Sequence, residues 1–176
     1  RKHRPVARIL DLGTGTGCLL LACLAELPRA TGIGVDKITE AVTVATTNAN
    51  RNGFSGRAQF YLADFAADLT GHGQFDIILS NPPYIPLADI KGLDSDVRHF
   101  DPLAALDGGP DGLNCFRVLF PQIAILLGYN GAAFLEIGAG QGEAVACIGM
   151  ANKLRLAGSV SDLSGQQRCL QFRKEK

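Results

Sequence analysis

Ala7-Arg8-Ile9-Leu10-Asp11-Leu12, followed at once by Gly13-Thr14-Gly15-Thr16-Gly17, is the stretch that decides the fold. The first six residues read as a short buried strand. The glycines read as a turn in which the backbone bends sharply and a ligand can approach it closely. Cys18 to Leu27 is apolar almost throughout, as a helix packed on a sheet requires, and Pro28 ends it. The unit then repeats. Gly32-Ile33-Gly34-Val35-Asp36 is a second strand, and Thr39 to Asn52 has helical spacing, with Ala41, Val42, Ala45 and Ala49 on one side and Gly53 as its stop. Ala58 to Leu62, running into Ala63-Asp64-Phe65, is a third strand, and Phe75 to Ser80 a fourth. Strands alternating with helices predict βαβ units and a mostly parallel sheet.

A long irregular stretch rich in Pro, Gly and Asp follows, from Asn81 to about Asp111. Loops of that length inside a compact domain are usually functional. Beyond it the spacing predicts a helix over Gly112 to Leu127, a fifth strand over Gly131 to Ile137 and a helix over Gln141 to Lys153. Arg155 to Ser161 and Gln167 to Phe172 read as two more strands. The five residues between them, Asp162-Leu163-Ser164-Gly165-Gln166, permit an antiparallel hairpin but no parallel crossover. The expectation is an α/β domain: a doubly wound, mostly parallel, seven-stranded sheet with a C-terminal antiparallel hairpin.

The 176 residues suit a single domain over 1–176. The chain opens on Arg1 and its only methionine is Met150, so the sequence reads as a piece of a longer chain with something upstream. No apolar run approaches the roughly 20 residues of a membrane span. Net charge is zero, with basic residues gathered at the ends (Arg1, Lys2, Arg4 and Arg8; Arg173, Lys174 and Lys176). These ends read as solvated tails. The body between them is mildly acidic, which speaks against nucleic acid as partner. Cys18, Cys23, Cys115, Cys147 and Cys169 have irregular spacing and no CxxC. They read as small buried apolar residues in a reducing compartment, the cytoplasm or, in a eukaryote, an organelle. His3, His72 and His99 are scattered, and no metal is expected.

In open α/β sheets, ligands sit beyond the carboxyl ends of the strands, at the switch point. Gly13 to Gly17, Asp36, Asp64 and Asn81 all fall at strand ends and should converge on one crevice. Asp36 is placed to accept hydrogen bonds from a ribose diol, or to begin the following helix as an N-terminal charge. The glycine spacing is GxGxG. The nicotinamide fingerprint GxGxxG would need a third glycine where Cys18 stands, and no Lys-Ser/Thr pair follows to make a P-loop. A GxGxG turn with an acid ending the second strand resembles the class I S-adenosylmethionine-dependent methyltransferases. That resemblance implies S-adenosylmethionine as cofactor, with S-adenosylhomocysteine as product. It implies that Gly13, Thr14, Gly15, Thr16 and Gly17 face the methionine moiety, that Asp36 holds the ribose, and that Asp64 accepts from the adenine amino group with Phe65 on its ring. Phe65 serves equally as plain core packing.

Asn81-Pro82-Pro83-Tyr84 follows the fourth strand directly. Two consecutive prolines have fixed φ and no N–H, so they stiffen the loop and leave the Pro82 C=O free to accept. Asn81 Oδ1 is a second acceptor. Two acceptors on a rigid frame suit a planar NH₂ group with two donors, and Tyr84 offers an aromatic face for it. Holding both hydrogens orients the nitrogen for in-line attack on an electrophilic methyl, and the same acceptors stabilise the positive charge that develops on it. No side-chain base is required. The tetrapeptide resembles the (Asn/Asp)-Pro-Pro-(Tyr/Phe/Trp) motif of amino-methyltransferases, whose acceptors are adenine in DNA, guanine in ribosomal RNA, or glutamine.

Asp96-Val97-Arg98-His99-Phe100-Asp101-Pro102-Leu103-Ala104-Ala105-Leu106, Gly108-Gly109-Pro110-Asp111-Gly112-Leu113, Leu135-Glu136-Ile137-Gly138 with Gln141-Gly142, and Asp162-Leu163-Ser164-Gly165 are similar to the HemK, or release-factor glutamine methyltransferase, family. With the glycine turn and the tetrapeptide, the resemblance runs from about Ile9 to Phe172. It implies methyl transfer to the glutamine of the Gly-Gly-Gln loop of class 1 peptide chain release factors. It implies cofactor binding by Gly13 to Gly17, Asp36, Phe65 and Asn81. Asn81, Pro82, Pro83 and Tyr84 would bind the substrate glutamine, with Asn81, Pro82 and Tyr84 catalytic. Many relatives carry tryptophan where this chain has Phe65, and their N-terminal helical domain, expected to dock the release factor, has no counterpart here. Asp96, Arg98 and Asp101 either shape the substrate entrance or form an ion-pair cluster that orders the loop. Two rival readings are a nucleic-acid amino-methyltransferase, which calls for a basic face, and a scaffold domain without catalysis, which has no use for two converging acceptors.

Overall fold

The structure, a computed structural model, describes residues 8–92 and 103–175. Its strands are β1 Arg8–Leu12, β2 Thr31–Asp36, β3 Ala58–Leu62, β4 Phe75–Ser80, β5 Leu127–Glu136, β6 Leu154–Ser161 and β7 Gln167–Lys174. The helices are α1 Cys18–Glu26, α2 Thr39–Arg51, the single turn α3 Leu103–Leu106, α4 Asn114–Leu126 and α5 Gly142–Ala151. One seven-stranded sheet runs in the order β3-β2-β1-β4-β5-β7-β6. β1 to β5 are parallel, and β7 lies antiparallel between β5 and β6.

β1 has four consecutive buried residues after Arg8, as a parallel strand covered on both faces requires. Alternation divides its side chains between two cores. Leu10 and Leu12 join Val35 and Ile78 beneath Phe116, Leu119, Phe120 and Ile123 of α4 and Val145 of α5. Ile9 and Leu79 face the other way, against Leu20, Leu21 and Leu24 of α1 and Ala49 of α2. At about 1.5–3 kcal/mol for each fully buried large apolar side chain, these two layers hold the strand ends in fixed register.

The expected architecture is found; most boundaries move by one or two residues, and two of the differences have a local cause. α4 begins at Asn114 because Gly112 sits in a turn at φ 75°, where any side chain would run into the Tyr84 carbonyl oxygen. β5 begins at Leu127 rather than Gly131, directly after α4. Its pairing with β4 shifts register between Phe75 and Ile77, so Gly128 to Gly131 is taken up as an irregularity. Two expectations are overturned. None of the five cysteines is buried: Cys18 and Cys147 are exposed, and Cys23, Cys115 and Cys169 are half-buried. Nor are the basic ends, where described, free tails, since Arg173 and Lys174 belong to β7. Arg8 is no solvated tail: its guanidinium donates to the His72 and Gln74 carbonyls and stacks 4.8 Å over the Phe75 ring. His3, His99, Asp96, Arg98 and Asp101 lie outside the described residues.

Candidate active site

The sheet order reverses between β1 and β4, so the crevice opens where Leu12 pairs with Ser80. The Ser80 hydroxyl donates to the Leu12 carbonyl (2.8 Å, buried) and ties the two strand ends together. Asp36 ends β2 beside them, and Ala63 donates its N–H to the Asp36 carbonyl (2.9 Å), which brings the end of β3 alongside. The structure therefore brings Gly13 to Gly17, Asp36, Asp64 and Asn81 to the same end of the sheet.

The glycine turn is fastened by its own polar groups. The Gly13 and Thr14 N–H groups both donate to the Val35 carbonyl (2.9 Å each), and Gly17 N–H to Thr14 C=O. Asn48 of α2 donates to the Thr16 carbonyl (3.0 Å). Gly13 and Gly15 stand at φ 72° and 53°, and nothing lies within 4 Å of where a side chain would be, so that face of the turn is open. Gly17 differs. A Cβ there would lie 3.1 Å from both Ala45 Cβ and the Phe60 ring, so tight packing adds to its φ of 80° in favouring glycine.

Asp36 does two jobs at once. Its Oδ2 accepts from Gly15 N–H (2.8 Å) and its Oδ1 from Ile38 N–H (3.0 Å). It thereby pins the turn to β2 and also starts α2, whose N-cap is Ile38. Each carboxylate oxygen has a second lone pair, which leaves capacity for two more donors. Asp64 is exposed, with Oδ1 accepting from Ala66 N–H (2.8 Å). Phe65 is half-buried and packs against the larger core.

Asp11, not singled out from the sequence, lies against the glycine turn. It is 1% exposed. Oδ2 accepts from the Thr14 hydroxyl (2.7 Å), while Oδ1 is buried and has no hydrogen-bond partner of ordinary geometry. Burial lifts its carboxyl to about 6; the Thr14 hydroxyl and the Leu20 N–H oppose the shift, and the charge of Asp36 adds to it. An unsatisfied buried carboxylate is costly, and this one is tied to the turn through Thr14. The signal available in the sequence was a lone acid in an otherwise apolar strand, two residues before the first glycine.

Beyond Ser80, Asn81 is exposed, Pro82 buried, and Pro83 and Tyr84 half-buried. No donor among the described residues takes the Pro82 carbonyl or the Asn81 side-chain amide. The Tyr84 hydroxyl donates to Glu136 Oε1 at the end of β5 (3.2 Å). Burial, with the Glu136 charge and that hydrogen bond, raises the Tyr84 phenol above its ordinary pKa, so it stays a neutral donor. Past Tyr84, Ile85 N–H donates to Leu106 C=O (3.1 Å) and Gly108 N–H to Ile85 C=O (2.9 Å), which lashes the segment to the turn after α3.

Among the described residues no group of three or more His, Cys, Asp or Glu is placed to hold a metal ion, and no helix is long and apolar enough to cross a membrane. Known proteins agree with the geometry. Release factor glutamine methyltransferase of Rhodospirillum rubrum is 48% identical over 95% of this chain and 51% of its own length. That of Agrobacterium fabrum is 43% identical over 96% and 57%. The chain thus spans little more than half the length of these curated relatives. Among solved structures, ribosomal protein L11 methylase from Lactobacillus delbrueckii subsp. bulgaricus superposes with a TM-score of 0.71 at 20% identity, covering 99% of this chain and 72% of that one. PKMT2 from Rickettsia typhi, solved in complex with AdoHcy, gives 0.67 at 11% identity, covering 97% and 49%. The fold is that of the class I S-adenosylmethionine-dependent methyltransferases. The profile of the Methyltransferase small domain family matches residues 2–91 of the 176, and the chain belongs to that family.

Proposed function

We propose that this domain transfers the methyl group of S-adenosylmethionine to the side-chain amide nitrogen of the glutamine in the Gly-Gly-Gln loop of a class 1 peptide chain release factor. The observation that carries the reading is the pair of unclaimed acceptors, Asn81 Oδ1 and the Pro82 carbonyl, on a proline-stiffened segment at the switch point. The names of the relatives at 43–48% identity support the choice of acceptor. The reaction is placed in the cytoplasm, where a release factor is available.

The residues present fit the cofactor. The open face over Gly13 and Gly15 admits the methionine moiety, and Asp11, tied to the turn through Thr14 and with Oδ1 unpartnered, supplies negative charge toward an ammonium group. Asp36 has lone pairs left for the ribose diol. Asp64 and Phe65 stand beside it for the adenine. When bound, the cofactor supplies an electrophilic methyl on a sulfonium.

The chain's own part is positioning. An amide nitrogen is a weak nucleophile because its lone pair is delocalised. Asn81 and Pro82 take its two hydrogens and aim the nitrogen along the axis of attack, while Tyr84 covers the amide plane. With the cofactor bound, its methyl would pass from sulfur to the nitrogen that Asn81 and Pro82 hold, and the surplus proton would leave that nitrogen for water. The test offers radiolabelled S-adenosylmethionine to the full-length protein with release factor, its Gln→Ala loop variant, bulk DNA and ribosomal RNA. Label on wild-type release factor alone is the expected result; label on nucleic acid overturns the acceptor and leaves the cofactor site standing.

A further inference from the structure

On its far side the segment bearing the two acceptors is held by Gln141, beside the Tyr84–Glu136 and Ile85–Leu106 hydrogen bonds. Gln141, just before α5, donates from Nε2 to the Tyr84 carbonyl (2.8 Å) and to the Gly112 carbonyl (3.4 Å). Its Oε1 accepts from the Gly138 N–H (2.9 Å). Three stretches of chain, after β4, before α4 and after β5, therefore meet on one amide. Its surroundings are shaped to receive it. A Cβ on Gly108 would lie 2.8 Å from Tyr84 Cα, and one on Gly138 would lie 2.8 Å from Gln141 Oε1 and 3.1 Å from the Tyr84 ring. One on Gly112 would strike the Tyr84 carbonyl oxygen and come within 2.6 Å of Gln141 Nε2. Glycine at three separate places in the chain leaves room for this contact.

The near side of the segment is anchored too, by the Ser80 hydroxyl on the Leu12 carbonyl. Between the anchors stand Asn81, Pro82, Pro83 and Tyr84, and two of their four φ torsions are locked by proline rings. A tetrapeptide held at both ends with so few free torsions keeps its acceptors in one geometry. We infer that Gln141 is a positioning residue for methyl transfer: by fixing the Tyr84 carbonyl it sets where Asn81 Oδ1 and the Pro82 carbonyl point, acting through the loop rather than on the reacting atoms. The inference rests on the reading of Asn81 and Pro82 as the substrate's acceptors.

The experiment uses the full-length chain with two substitutions. Gln141→Glu keeps the shape and the acceptor for Gly138 but removes both donors, and Gln141→Met keeps the length and removes both functions. The expected result is a kcat lower by about tenfold to a hundredfold. S-adenosylmethionine affinity by calorimetry should stay within about twofold, and the Ile85 and Leu87 amides, which now donate to Leu106 and Gly109, should exchange faster with solvent. A role in stability alone would instead lower the unfolding temperature, cofactor affinity and kcat together, and that outcome overturns the inference. So does an unchanged kcat in a folded variant; should the charged variant fail to fold, the methionine variant decides. If the wild-type protein labels no glutamine, the proposed function fails by itself. The exchange rates then still test the clamp, and unaltered exchange at Ile85 and Leu87 removes it.

Discussion

The two ends of the same sheet are finished in opposite ways. At the end where β1, β2, β3 and β4 begin, two arginines cap backbone carbonyls. Arg57 donates to the Leu24, Leu27 and Ala30 carbonyls and stacks 5.1 Å over the Phe54 ring. Arg8 serves His72, Gln74 and Phe75 in the same manner. At the end where those strands stop, Asp11 Oδ1 has no partner, the Asn81 and Pro82 acceptors are unclaimed, and Gly13 and Gly15 face open space. A hollow of about 230 Å³ lies at that other end, where the strands begin, lined by Arg8, Thr31, Arg57 and Gln59 among others, and a larger one of about 290 Å³ lies against α2 and β3. Neither is at the end where the strands stop, and the arginines of the first already serve backbone carbonyls. Unsatisfied polar groups, rather than empty volume, single out the end proposed as the active site.

The comparison breaks or sharpens on four measurements. The largest effect belongs to Asn81→Ala. Turnover should fall by about a hundredfold to a thousandfold, the scale for losing one preorganised polar contact to a transition state, while cofactor affinity changes only a few-fold. Equal loss of both would remove the orienting role.

Asp11 comes next. Its folded pKa of about 6 lies above the ordinary 3.8, so the folded state favours the protonated form. The associated stability is fully present below about pH 4 and is lost as pH rises through about 6, some 2–3 kcal/mol in all. Asp11→Asn should flatten that slope in thermal unfolding of the cofactor-free protein. A variant that keeps the wild-type slope would show the carboxyl to be an ordinary one.

Asp36→Ala should weaken S-adenosylmethionine binding at least about tenfold through lost ribose hydrogen bonds and a Gly15 N–H left without its acceptor; unchanged calorimetric affinity would refute the assignment. The smallest effect tests the other end. Arg57→Met should cost about 1–2 kcal/mol of stability and leave cofactor affinity unaltered. A drop in affinity there would erase the distinction between the two ends.

Much of this molecule could be read from the chain because its signals are local. Gly13 to Gly17 and Asn81 sit immediately after a predicted strand and Asp36 ends one, and a strand's end is where an open α/β sheet places its ligand. Arg8 was misread because charge near a terminus looks the same in sequence whether it points to water or to carbonyls 64 and 66 residues away. Gln141 carried no readable role, since the carbonyls it serves belong to residues 57 and 29 positions earlier.

By itself the sequence determined the βαβ alternation, the glycine turn and the rigid Asn81-Pro82-Pro83-Tyr84 segment, because periodicity, φ preference and missing N–H groups act over a few residues. It also determined that the last two strands form a hairpin, since five residues cannot make a crossover. Only the tertiary structure decided that β7, not β6, takes the place beside β5. A five-residue link fixes that the two strands pair but not which of them reaches the sheet. That choice rests on long-range burial, with Leu170 and Phe172 of β7 fully buried while β6 beyond Leu154 is mostly exposed. Tertiary packing likewise took Asp11 out of water and brought Gln141 against Tyr84, because desolvation and distant hydrogen bonds exist only once the layers have closed.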